Sequence, residues 1–115
     1  MLQEAMEAFA ALADPIRADI VRMLSLRDLS AGEIAGRFPV SRPAVSRHLS
    51  VLRRSRLVKV RRDAQRRVYS LDPAGLDDVD RWVDECRRVW SQRLDALGAH
   101  LDANARRTKG DSNDD

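Results

Sequence analysis

Apolar positions recur at helical spacing through the first half of the chain, change to alternation in the middle, and return to helical spacing for a long final run. Leu2 to Ala13, rich in Ala, Glu and Met, predicts a first helix with Leu2, Met6, Phe9 and Ala13 on one face. Asp14-Pro15 then restarts the chain, with Asp14 as N-cap and Pro15 at the first helical position. The second helix reaches Leu26, with Ile16, Ile20, Met23 and Leu24 inward and Arg17 and Arg22 at the surface. Ser30-Ala31-Gly32-Glu33 has the S-x-x-E form of a capping box and opens a third helix through Arg37, with Ile34 and Phe38 inward. Phe38-Pro39-Val40 breaks it and leaves room only for a tight turn before the next helix, the spacing of a helix-turn-helix.

That next helix is well marked. Ser41 is a good N-cap, and Pro43 falls in the first turn, where its missing N–H costs little. Val45, Leu49 and Leu52 form the inward stripe, while Arg42, Ser46, Arg47 and Ser50 share the other side. After Arg53 the pattern alternates. Leu57, Val58 and Val60, then Val68, Tyr69 and Leu71, predict a β-hairpin whose tip is basic. Asp72-Pro73 caps a last helix whose Leu76, Val79, Val83, Cys86, Trp90, Leu94, Leu97 and Leu101 follow three- and four-residue spacing. This stripe is longer than a small domain covers, so it predicts a twofold dimer built from the last helix with Leu2, Met6 and Phe9 of the first alongside. The polar segment from residue 105 has nothing to bury and is expected to be a disordered tail, leaving residues 1–104 as one winged helix-turn-helix and dimerisation domain. The predicted fold class is mainly α with a small β-hairpin, a winged helix-turn-helix with long terminal helices.

Charge sharpens this picture. From Ser41 to Arg67 the chain carries ten basic residues against Asp63 alone, in a molecule whose formal total is only +3. Such a block attracts polyanions and makes binding strongly salt-dependent. Two guanidiniums and two hydroxyls on one helix face supply the donors that major-groove reading needs, since Arg pairs bidentately with guanine and Ser bonds base edges or phosphates. Arginines at a hairpin tip suit a minor groove or phosphates; charge that protects an edge hairpin accounts for some of them. With 115 residues, 43% of them hydrophobic, there is room for one small core. There is no run of about 20 apolar residues and no signal-peptide pattern, so a cytoplasmic protein is expected. A single Cys86 fits a reducing compartment.

Four landmarks in order resemble the ArsR family of winged-helix bacterial repressors: Ala11-Leu12-Ala13-Asp14-Pro15-Ile16-Arg17, then Ser41-Arg42-Pro43-Ala44-Val45-Ser46-Arg47-His48-Leu49, then Leu52 to Leu57-Val58, then Arg67-Val68-Tyr69-Ser70-Leu71. The resemblance spans residues 5 to 101 and implies a homodimer that binds a double-stranded DNA operator, usually near its own promoter, until an inducer alters the dimer. Carried over by position, it implies base contacts from Arg42, Ser46 and Arg47 and backbone contacts from Ser41, His48 and Ser50. It places the wing arginines Arg61, Arg62, Arg66 and Arg67 in the adjacent groove.

Metal-sensing members of that family set a comparison this chain does not meet. Where metalloid sensors carry Cys-x-Cys in the third helix, this chain has Leu29-Ser30-Ala31-Gly32-Glu33, and where zinc sensors pair an Asp with two His on the last helix it offers Asp77, Asp78, Asp80 and His100 alone. Three or four thiolate or imidazole ligands are needed, and one Cys and two His do not supply them, so no metal or other cofactor is expected and the metal-independent branch is the nearer likeness. Cys86 reads as a small apolar packing residue, with a thiol pair across a dimer axis as the sharper alternative. A sequence-specific repressor and a nonspecific architectural DNA protein both remain open. An enzyme does not fit, since no nucleophile–base pair or phosphate-binding glycine loop is visible.

Overall fold

In the computed structural model, which describes the backbone of residues 2–112 and side chains to residue 105, five helices and three short strands follow in the order α1 (Leu2–Leu12), α2 (Pro15–Leu26), β1 (Leu29–Ser30), α3 (Ala31–Ala35), α4 (Arg42–Arg54), β2 (Val58–Asp63), β3 (Arg66–Leu71) and α5 (Pro73–Ser112). The chain divides into two compact units, Met1–Trp82 and Val83–Asp115.

In the first unit, local chemistry places the helix starts. Asp14 caps α2 by accepting from the N–H groups of Ile16 at 2.8 Å and Arg17 at 3.1 Å. Ser30 and Glu33 close a reciprocal capping box on α3, with Glu33 N–H donating to Ser30 Oγ at 3.2 Å and Ser30 N–H donating to Glu33 Oε1 at 3.0 Å. The α3 helix ends at Ala35, two residues short of the predicted Arg37, because Gly36 already serves as its C-cap. Ile20, Val21 and Leu24 of α2, Ile34 of α3, Val45, Leu49 and Leu52 of α4, and Leu57, Val58 and Tyr69 of the hairpin make the core.

The α1 helix turns a different face inward from the one its large residues predict. Ala5, Ala8 and Ala11 are fully buried, whereas Leu2 and Met6 stay exposed. Methyl side chains let the α1 backbone approach the core closely, and larger residues on that face would hold it away. Phe9 meets Trp82 edge to face, ring centroids 5.2 Å apart, so its ring is engaged within the chain. Leu76 and Val79, expected in the dimer seam, pack against the core of the first unit because the opening turns of α5 cover it.

The sheet is antiparallel in the order β1-β3-β2. Val60 opposes Tyr69, Arg62 opposes Arg67, and Asp63 opposes Arg66 at the tip. Ala64, at the turn, adopts φ 57°, a left-handed conformation more natural to glycine. The predicted hairpin thus forms, joined by β1, in which Leu29 pairs with Tyr69 and Ser30 with Val68.

Within the second unit the helix carries Trp90, Leu94, Leu97 and Leu101 in the open, each about half exposed, together with Cys86 and Val89; Val83 is partly buried. Arg93 lies over the Trp90 ring at 5.8 Å. The backbone remains helical to Ser112, where the sequence pattern predicts disorder from residue 105. Each residue added to an existing helix gains a hydrogen bond without a new nucleus, and Ala103, Ala105, Arg106 and Arg107 are good helix formers. The last three tail residues, 113–115, lie outside the described residues.

Candidate nucleic-acid interface

The α4 helix is built to hold one face still and offer the other. Ser41 Oγ accepts from Ala44 N–H at 3.2 Å, and Arg42-Pro43 opens the first turn, as the sequence predicts. Val45, Leu49 and Leu52 anchor the buried side. On the other side Arg42, Ser46, Arg47 and Ser50 are all exposed, as is Ser41 at the cap. None of the four forms a side-chain hydrogen bond or ion pair within the described structure, so two guanidiniums and two hydroxyls stand available for base edges and phosphates.

The far end of α4 is closed by a Schellman arrangement. Arg56 N–H donates to Arg53 O and Leu57 N–H to Leu52 O, both at 3.0 Å, while Leu52 and Leu57 are fully buried beneath the turn. Arg56 takes φ 59° in the position that glycine usually fills. Its guanidinium pairs with the buried Asp78 of α5, and its carbonyl accepts from Gly75 N–H at 2.7 Å. The end of α4 is therefore tied to the start of α5.

His48 has a more constrained place than a free backbone contact. It is half-buried, and its Nδ1 lies 3.3 Å from Arg17 Nη1. Arginine has no acceptor, so a hydrogen bond between the two has Nη1 donating and Nδ1 accepting. Arg17 also donates from Nε to Ala11 O at 2.7 Å and from Nη2 to Ala10 O at 3.4 Å, so it caps the end of α1 and braces α4 rather than lying free at the surface. No local pattern announces this role; the one signal is that Arg17 stands two residues after Pro15 of the Asp14-Pro15 cap. The Arg17 backbone N–H, against an opposing desolvation, holds the Asp14 carboxyl below its usual range, with the Ile16 N–H and the nearby His48 and Arg17 assisting.

The four wing arginines divide into two pairs. Arg62 and Arg67, opposite one another on the hairpin, are exposed and make no ion pair or hydrogen bond through their side chains in the described structure. Arg61 Nη1 lies 2.8 Å from Asp28 Oδ2, and Arg66 Nη2 lies 2.9 Å from Glu33 Oε1. Sequence spacing gives no hint of these pairs, which join residues far apart in the chain. The Ser30 backbone N–H is the main cause that holds Glu33 below the usual carboxylate range, with the Ser30 hydroxyl and the Arg66 charge adding to it. Among the described residues no group of three or more His, Cys, Asp or Glu side chains is placed to hold a metal ion. Likewise, no helix there is long and apolar enough to cross a membrane.

Three comparisons bear on this geometry. The profile described as "Bacterial regulatory protein, arsR family" matches residues 14–60, the stretch from the α2 cap through α4 into β2. The chain is 46% identical over 95 residues to the HTH-type transcriptional regulator Rv2034 of Mycobacterium tuberculosis, covering 79% of this chain and 89% of that protein. It is 36% identical over 75 residues to the transcriptional repressor SdpR of Bacillus subtilis, covering 65% and 83% respectively. A solved ArsR-like transcriptional regulator from Rhodococcus sp. RHA1 superposes with a TM-score of 0.74 at 33% identity, over 84% of this chain and 91% of that one.

Proposed function

Because this chain belongs to the arsR family of bacterial regulatory proteins and is a DNA-binding transcription regulator, we propose that it works as a homodimer that represses its own or an adjacent operon. The observation that carries the reading is the exposed Arg42, Ser46, Arg47 and Ser50 face on a helix whose other side is locked in the core. In this reading Arg42, Ser46 and Arg47 reach base edges in the major groove, while Ser41 and Ser50 hold the backbone. Arg62 and Arg67 hold phosphates beside the wing. His48 adds a backbone contact.

The exposed Trp90, Leu94, Leu97 and Leu101 supply the apolar face that a second copy covers, with Val83 and Cys86 at its near end; Leu2 and Met6 of α1, exposed in their own unit, are further contacts of the second copy in this reading. Two α4 helices then reach half-sites about one helical turn apart. The scarcity of thiolate and imidazole groups supports a regulator that responds to something other than a metal; in this reading it acts in the cytoplasm, as a regulator and not an enzyme.

A mobility-shift titration tests this reading, using a duplex from the promoter upstream of its own gene and a scrambled duplex of equal composition. The expected result is much tighter binding to the promoter duplex, on the order of a thousandfold or more. Equal affinity for the two would overturn repression of this promoter and favour an architectural protein.

A further inference from the structure

We propose that Asp28 and Glu33 set how tightly the wing grips DNA: they act as internal stand-ins for phosphate that hold Arg61 and Arg66 off the nucleic-acid backbone. The inference rests on the reading of the wing as a DNA-contacting element. A carboxylate and a phosphate present the same kind of anionic oxygen to a guanidinium, and each of these two arginines already has one at bonding distance, 2.8 Å for Arg61 and 2.9 Å for Arg66.

Glu33 is not a chance neighbour. The same Oε1 that meets Arg66 accepts the Ser30 N–H at 3.0 Å, so the α3 capping box holds this carboxylate in place independently of the wing. Asp28 sits just before β1, the strand that pairs with β3 and thereby brings the hairpin alongside. All four side chains remain between two-fifths and two-thirds exposed, so neither pair is sealed and a phosphate can compete for the arginine. Such a swap leaves a bare carboxylate near a polyanion, which opposes it. Arg62 and Arg67 face no such competitor. The wing therefore brings two committed phosphate ligands and two restrained ones, although its sequence shows four equivalent arginines.

Salt dependence reads the number of arginines engaged, because each phosphate neutralised adds about 0.9 to the slope of log K against log salt. Binding to a mixed-sequence duplex is followed by fluorescence anisotropy across a salt series for wild type, Asp28→Asn, Arg61→Gln and Asp28→Asn/Arg61→Gln. Asp28→Asn is expected to steepen the slope by up to about 0.9 and to tighten binding roughly fivefold to tenfold near 0.1 M salt. Arg61→Gln alone is expected to leave the slope near wild type, and the double variant to return to it. Glu33→Gln, which preserves the capping box, repeats the measurement for Arg66.

An unchanged slope in both Asp28→Asn and Glu33→Gln would overturn the proposal. So would a double variant that keeps the steeper slope, because removal of any negative charge would then suffice. A wild type whose slope is unaffected by Arg62→Gln and Arg67→Gln would instead overturn the reading of the wing as a DNA contact, and this proposal with it.

Discussion

Replacing Gly75 by alanine sets two physical effects against each other with opposite signs. Gly75 lies in the first turn of α5, where helix propensity alone favours alanine by about 0.8–1.0 kcal/mol. A Cβ at this position, however, would sit 2.6 Å from Arg56 O, 2.7 Å from Ser55 O and 2.8 Å from Arg56 C. All three are backbone atoms at the closed end of α4. They have little room to yield, because Arg56 is already in the left-handed region and its carbonyl is bonded to Gly75 N–H. Overpacking of this kind costs about 1–3 kcal/mol, and weakening that hydrogen bond adds about 0.5–1.5 kcal/mol. The steric effect therefore wins, and the net loss is about 1–3 kcal/mol. For a domain of this size each kcal/mol lowers Tm by about 4–8 °C. Thermal unfolding followed by circular dichroism measures it, with Gly32→Ala as the companion. At Gly32 the nearest atom to an added Cβ is Ser30 Oγ at 4.0 Å, so propensity acts alone and Tm is expected to hold or rise. A Gly75→Ala protein that melts at or above wild type would refute the close contact between the α4 end and α5.

Leu94→Glu places a charge in the proposed seam of the last helix, so dimerisation and operator binding are expected to fail together; sedimentation beside a DNA-binding assay checks this, and a monomeric wild type that binds tightly would contradict it. Arg47→Ala is expected to lose about 1–3 kcal/mol on the promoter duplex and far less on a scrambled one, whereas Arg62→Ala weakens both alike; paired titrations decide, and equal Arg47→Ala losses would refute base contact. EDTA is expected to leave operator affinity unchanged, and near-stoichiometric zinc, cadmium or arsenite to release no DNA; release by any of them in a mobility shift would contradict the metal-independent reading.

What the sequence makes legible is chemistry that acts over a few residues. The Asp14, Ser30 and Ser41 caps each satisfy N–H groups two or three positions ahead, so spacing alone identifies them. The α4 stripe of Val45, Leu49 and Leu52 is equally plain, because its polar face has no rival apolar pattern. In α1 the largest hydrophobes mislead: the buried stripe is Ala5, Ala8 and Ala11, chosen for closeness of approach rather than for area. The two-residue β1 has no pattern of its own and exists through pairing with Val68 and Tyr69. The end of α4 is hidden because Arg56 stands where a glycine would mark a Schellman turn. The roles of Arg17, Arg61 and Arg66 depend on partners that only the folded chain brings near. Such pairings leave no trace in local spacing.

The central claim is that paired α4 helices read bases through the major groove, and dimethyl sulfate probing of guanine N7 tests it most directly. On the promoter duplex, saturating protein is expected to protect guanines in two half-sites about 10 base pairs apart, because Arg side chains pair with guanine O6 and N7. Arg47→Ala, at concentrations that still saturate the duplex, is expected to lose protection at specific guanines in both half-sites. A saturated complex in which every N7 stays reactive, or one protected at a single half-site only, would contradict the account.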